Sequence, residues 1–231
     1  MKLRHTPLSI PAHGDWLAGM LAHAPDVRAL ALCIHSSGRS LDQASPDGAP
    51  GPLELTLQAA GFATMTVELL TAREALHDAD AAFNIPRLTE RVLAAVDWAT
   101  HQPSLEGLPI GLVADGTGCA AAIRSAVSAP ESFTAIACLS GRADLAGAAP
   151  LRAIRTPTRF IVVPESPDAP MLASAHALLQ GEHDWLVLPA GDGAGGGQEH
   201  RTHAAQAACD WLLAHLPAPD GTATDRAGPA A

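Results

Sequence analysis

The chain has 231 residues, 48% hydrophobic and 16% charged, which suits one sizeable buried core and excludes a disordered polypeptide. A formal net charge of −10 argues against nucleic acid and against an anionic membrane surface as partners. The opening Met1-Lys2-Leu3-Arg4-His5 is too short and polar to begin a signal peptide, and no stretch approaches the roughly 18 apolar residues that span a bilayer.

In chain order, Leu8-Ser9-Ile10 and Trp16 to Leu21 have strand character, and Ala29 to Ile34 is a continuous apolar run suited to a strand buried on both faces. A polar loop rich in Ser, Gly, Asp and Pro runs from His35 to about Pro52. Leu53 to Ala60 reads as a helix stopped by Gly61, and Phe62 to Val67 as the next strand. Pro86 marks a helix start, after which Leu88, Val92, Val96 and Ala99 share one face. Leu108 to Ala114, Phe133 to Cys138, Thr158 to Val163 and Trp185 to Leu188 read as strands. Gly118 to Val127, Met171 to Leu179 and Glu199 to Leu213 read as helices.

This alternation predicts a single α/β domain over residues 1–215, with a mostly parallel central sheet and helices on both faces. Residues 216–231, rich in Pro, Gly and Ala, are expected to form a disordered tail. The short segment between Cys138 and Pro157 leaves no room for a substantial lid and predicts an open, shallow pocket. Cys33, Cys119, Cys138 and Cys209 are widely spaced without a C-x-x-C pair, as expected of reduced core thiols in a cytoplasmic protein.

Ligands of such sheets bind at the carboxyl ends of the strands, which directs attention to the loops there. The loop after Ile34 reads His35-Ser36-Ser37-Gly38-Arg39-Ser40, and the loop after the central strand reads Ala114-Asp115-Gly116-Thr117-Gly118-Cys119. Together with Phe83-Asn84-Ile85, Leu93 to Trp98, Gly107 to Leu112, Gly141 to Gly147 and Asp210-Trp211, these make the chain resemble the α/β-hydrolase superfamily, in its dienelactone-hydrolase-like branch. The resemblance runs from about residue 8 to residue 213.

It implies a nucleophile elbow of the form small-x-nucleophile-x-small, with Ala114 and Gly118 as the small flanks and Gly116 in the nucleophile's place. It sets the triad acid near Ser166, flanked by Glu165 and Asp168, and the histidine at Gly193 within Gly191 to Gly197. A Ser-His-Asp site needs all three groups, because His takes the nucleophile's proton and the acid orients the His. The resemblance therefore implies a hydrolase scaffold with a degenerate triad. What remains is a binding shell of His35, Ser36, Ser37, Gly116, Thr117 and Gly118, with backbone N–H groups of Thr117 and Gly118 at a helix start suited to an anion or a carbonyl oxygen.

Other residues carry narrower hypotheses. Asp115 is a candidate slipped nucleophile, or a turn residue before glycine. Cys119 is a candidate thiolate activated by the helix dipole, or a small core residue. His200 is a candidate base, and Glu165 or Asp168 a candidate acid. His200 and His203 stand three apart beside Glu199, yet without a clear third ligand no metal site is expected. The Gly191 to Gly197 run lacks the spacing and Lys of a nucleotide loop, so no cofactor is expected either. The leading expectation is a catalytically impaired or inactive homologue that binds a small molecule or a protein partner at the old active-site face. The alternatives are an active ester or lactone hydrolase with relocated residues, and a non-catalytic structural partner of an active relative.

Overall fold

The computed structural model describes residues 3–36, 50–163, 166–189 and 196–218. Ser37, Glu165, Gly193 and the tail from residue 219 onward lie outside them. The first two strands, β1 (Arg4–Ala12) and β2 (Asp15–His23), form an antiparallel hairpin closed at His13-Gly14, both with positive φ. β3 (Ala29–His35), β4 (Phe62–Glu68), β5 (Ile110–Asp115), β6 (Ala135–Leu139), β7 (Thr158–Val162) and β8 (His183–Val187) complete one eight-stranded sheet of order β1-β2-β4-β3-β5-β6-β7-β8. β2 joins β4 antiparallel, and every pairing from β4 to β8 is parallel. The expected mostly parallel sheet is therefore present, with strand limits within two residues of those predicted except at β1, which starts four residues before the expected Leu8.

The helices are α1 (Pro52–Ala59), α2 (Ala72–His77), α3 (Ile85–Thr100), α4 (Gly118–Ser128), α5 (Ala148–Ala153), α6 (Ala169–His176) and α7 (Gly196–Ala214). Alternation of side chains along the central strands sorts them into two cores. Leu30, Leu32 and Ile34 of β3, with Met65 and Val67 of β4, face α3 and α4. There Leu88, Val92, Val96 and Ala99 are buried as the helical pattern requires, and the alanines of α4 let that helix lie close to the sheet. Ala29, Ala31 and Cys33 of β3, with Val113 of β5, face Leu57 of α1 and Ala208, Cys209 and Leu212 of α7. All four cysteines are buried and unbridged. No helix among the described residues is long and apolar enough to cross a membrane.

Two features were not foreseen from the pattern. α2 opens on a capping box in which Thr71 accepts from Glu74 N–H and the Glu74 carboxylate accepts from Thr71 N–H. Glu74 also anchors the buried Arg91, whose guanidinium reaches Glu74, Asp15 and the Leu69 carbonyl and so ties the β1–β2 hairpin to α2 and α3.

Candidate functional site

The site lies where β4, β3 and β5 end side by side. Parallel register pairs His35 with Glu68, and Ile34 with Ala114, so His35, Glu68 and Asp115 occupy one row at the carboxyl edge. By alternation with Cys33 and Val113, that row faces the α1–α7 side of the sheet.

The turn from β5 to α4 carries Gly116 at φ +52°, the left-handed region that a side chain occupies only with strain. A Cβ there would stand 3.1 Å from Ser36 Oγ. The loop after β6 braces this turn from the other side. Arg142 N–H donates to the Gly116 carbonyl at 2.9 Å, and Gly141 comes so close that a Cβ on it would meet that oxygen at 2.4 Å. Only glycine fits at 141 for this reason.

Ser36 Oγ is buried and accepts from Gly118 N–H at 3.0 Å and from Thr117 Oγ1–H at 2.9 Å, locking the loop after β3 onto the start of α4. Gly118 N–H is thus occupied by protein. Thr117 N–H has no acceptor among the described residues. Of the two expected backbone donors, Thr117 is the one left for a ligand oxygen.

His35 Nδ1–H donates to Asp115 Oδ2 at 2.7 Å. Burial pushes the imidazole down, but the hydrogen bond and charge of Asp115, with the charges of Glu68 and Glu54, outweigh it and raise the pKa to about 9. His35 is therefore an imidazolium at neutral pH and not a general base. Next to it, burial pushes the Glu68 carboxyl up to about 7 against the opposing charge of His35.

A cleft of about 1070 Å³ opens over this row, between the first turns of α1 and the start of α7. His35, Ser36, Asp115, Gly116 and Thr117 line it, together with Glu54 and Glu68 on one side and His200 and Arg201 on the other. It is larger than the shallow pocket expected from the missing lid, because both helix starts stand above the sheet edge.

The other candidates fare differently. Cys119 does not have the lowered pKa expected at a helix start. It is buried, burial pushes its thiol well up, and Sγ donates to the carbonyls of Ser140 at 3.0 Å and Ala114 at 3.4 Å. A protonated core thiol turned onto backbone carbonyls is not a nucleophile. Asp168 stands at the start of α6 and does not line the cleft, and its charge is felt by Arg142. His200 lines the cleft, but its Nε2 donates to the Pro189 carbonyl at 2.6 Å, while His203 is exposed. Among the described residues no three His, Cys, Asp or Glu side chains gather as metal ligands.

The sequence reading missed Glu54 and Glu68. A signal existed in Thr64-Met65-Thr66-Val67-Glu68, which alternates polar and apolar through a strand buried at every position. Gln58 donates to Thr64 Oγ1 and Thr66 Oγ1–H to Glu54 Oε1, so this polar stripe pairs with α1.

No protein-family model matches the chain, and no curated protein does. Solved structures do. A dienelactone hydrolase from Anabaena variabilis superposes with a TM-score of 0.81 at 28% identity, over 94% of this chain and 100% of that one. Est1E from Butyrivibrio proteoclasticus matches with a TM-score of 0.70 at 14% identity, over 90% of this chain and 98% of that one. A Pyrococcus furiosus esterase matches with a TM-score of 0.70 at 11% identity, over 93% and 94% of the two chains. The class of the molecule is thereby defined: it has the α/β-hydrolase fold. Within that fold it is similar to dienelactone hydrolase along nearly the whole chain.

Proposed function

We propose that this protein is a dienelactone-hydrolase-like scaffold whose ester or lactone hydrolysis is impaired or lost, and that it uses the cleft to bind a small molecule. The observation that carries the reading is Gly116. The turn has the left-handed backbone and the close bracing expected of a nucleophile elbow, and it presents no side chain that could attack. Neighbouring groups offer no replacement. His35 is held as a cation by Asp115 and engages that carboxylate at the turn, and Cys119 is buried and protonated. What supports binding is the intact cleft with Thr117 N–H and the His35 imidazolium at one end, suited to a carbonyl or carboxylate oxygen.

The test is hydrolysis of activated short-chain esters by the purified protein, alongside Gly116→Ala, Asp115→Asn and His200→Ala. We expect the native protein to match Gly116→Ala, with no turnover above buffer. Turnover that disappears in Asp115→Asn or in His200→Ala would overturn the reading in favour of relocated catalytic residues. A fragment screen read by backbone amide shifts tests the binding half. Shifts should cluster at His35, Asp115 and Thr117.

A further inference from the structure

Among the described residues, the buried side-chain polar groups at the cleft edge are paired, with one exception. Ser36 takes two hydrogen bonds, Asp115 takes His35, Thr66 reaches Glu54, and Gln58 reaches Thr64. Glu68 is only 6% exposed, and its Oε2 is buried without a hydrogen-bond partner among the described residues. Folding rarely leaves such an oxygen bare, because an unmade bond at a buried polar group costs on the order of 1–3 kcal/mol. The neighbouring imidazolium does not relieve it, since His35 Nδ1–H is given to Asp115 and Glu68 Oε2 takes no hydrogen bond from the other ring nitrogen.

The surroundings narrow what could. Glu54 and Asp115 bring two further carboxyl groups to the same wall, so that three carboxyls face the cleft against two cations, His35 beside them and Arg201 on the opposite side. A neutral donor would fill the hydrogen bond and leave that charge imbalance, whereas a cation answers both. A metal ion is disfavoured, because the described residues do not assemble a three-ligand cluster. Part of the remaining wall is apolar, with Leu53, Leu139, Val163 and Leu188. Such walls suit the organic body of a ligand.

Resting on the reading of the cleft as a ligand site, we propose that Glu68 is the seat for an organic cation, and that the cleft recognises a small molecule with a primary ammonium or amidinium group on an apolar body. The cationic head bonds Glu68 beside Glu54, and the body lies along the apolar wall toward β6 and β7. A ligand that also carries a carbonyl or carboxylate reaches Thr117 N–H and His35 with its other end. The acidic balance of the whole chain, net charge −10, favours approach of such a ligand. Bonding a cation returns the Glu68 carboxyl to its ionised form, so binding near neutral pH releases a proton from it. The charged or titratable groups that face it during this step are His35 on the adjoining β3, Asp115 on β5, Glu54 on α1, His5 on β1, and His200 and Arg201 on α7.

The experiment is calorimetric titration of the full chain with a matched set: benzylamine, benzamidine, benzyl alcohol and benzoate. Amide shifts locate each probe. The two cations should bind in the cleft about tenfold or more tighter than benzyl alcohol, and benzoate should bind no better than the alcohol. The binding enthalpy of the cations at pH 7 should vary with the ionisation enthalpy of the buffer. Glu68→Gln should lose both the preference and the buffer dependence while keeping the native circular dichroism spectrum. Glu68→Asp should keep part of the preference, which a merely structural role would not produce. Equal binding of benzyl alcohol and the cations, or a preference that survives in Glu68→Gln, overturns the cation seat and leaves the ligand-site reading standing. If neither these probes nor a broader fragment set binds in the cleft, both fall together.

Discussion

Glu68 and Glu74 stand six positions apart, each 6% exposed, and the fold drives them to opposite states. Burial pushes both carboxyls up. At Glu74 the hydrogen bonds of Arg91, with those of Thr71, more than reverse it and bring the pKa to about 2. At Glu68 only the nearby charge of His35 opposes it, and the pKa stays at about 7. The number of aimed donors, not the depth of burial, separates the two. Around Glu74 the network is closed, with Arg91 and Arg87 shared between Glu74 and Asp15, so this corner is complete as architecture. Around Glu68 the set of partners is incomplete among the described residues, and the side chain borders a cleft. An unsatisfied polar group tolerated at the carboxyl edge of a sheet points to an occupant supplied from outside.

The contrast can be broken from either side. The largest effect is expected at Arg91, whose side chain is 2% exposed. Arg91→Leu leaves Glu74 buried with a weakened partner set and should cost about 3–5 kcal/mol in urea denaturation. A loss under about 1 kcal/mol would show that the closed network contributes little.

At Glu68 the sign reverses. Its folded pKa, about 7, lies above the ordinary 4.5, so its contribution to stability is fully present below pH 4.5 and is lost as pH rises through 7. Glu68→Gln should therefore be more stable than the native protein by roughly 2–3 kcal/mol at pH 8, and the gap should close toward pH 4. A gap independent of pH would remove titration of Glu68 as the cause. Glu74 gives the mirror image. Its contribution is present above pH 4.5 and is lost as pH falls through about 2, so Glu74→Gln should weaken the protein at neutral pH and flatten the acid limb.

Smaller effects probe the two local turns. Gly116→Ala places a Cβ at φ +52° and 3.1 Å from Ser36 Oγ, and should cost about 1–2 kcal/mol in thermal unfolding. Thr71→Ala removes half of the capping box and should cost about 1 kcal/mol, measured the same way.

Much of the fold was legible because its signals are local. The run Ala29 to Ile34 suited a strand buried on both faces, and the spacing of Leu88, Val92, Val96 and Ala99 matched one helix stripe. The short α2 was legible too, in Thr71-Ala72-Arg73-Glu74, but six residues carry too little periodicity to attract attention. The site was legible only where a turn motif marked it. Gly116, Thr117, Gly118 and His35 stood out through the resemblance to dienelactone hydrolases, whose loop motifs they match. Glu68 ends a strand as His35 does, yet no loop motif follows it.

The sequence by itself determined the alternation of strands and helices, the parallel sheet and the glycine at the elbow. These follow from hydrophobic period and backbone freedom, which neighbouring residues specify. Only the tertiary structure decided that His35 is held by Asp115, that Cys119 is turned onto carbonyls, and that Glu68 is left without a donor while Glu74 has several. Those states depend on strand register and on the approach of residues eighty positions apart, as with His35 and Asp115. Burial and partner count arise from that approach, and together they set the charge of each group.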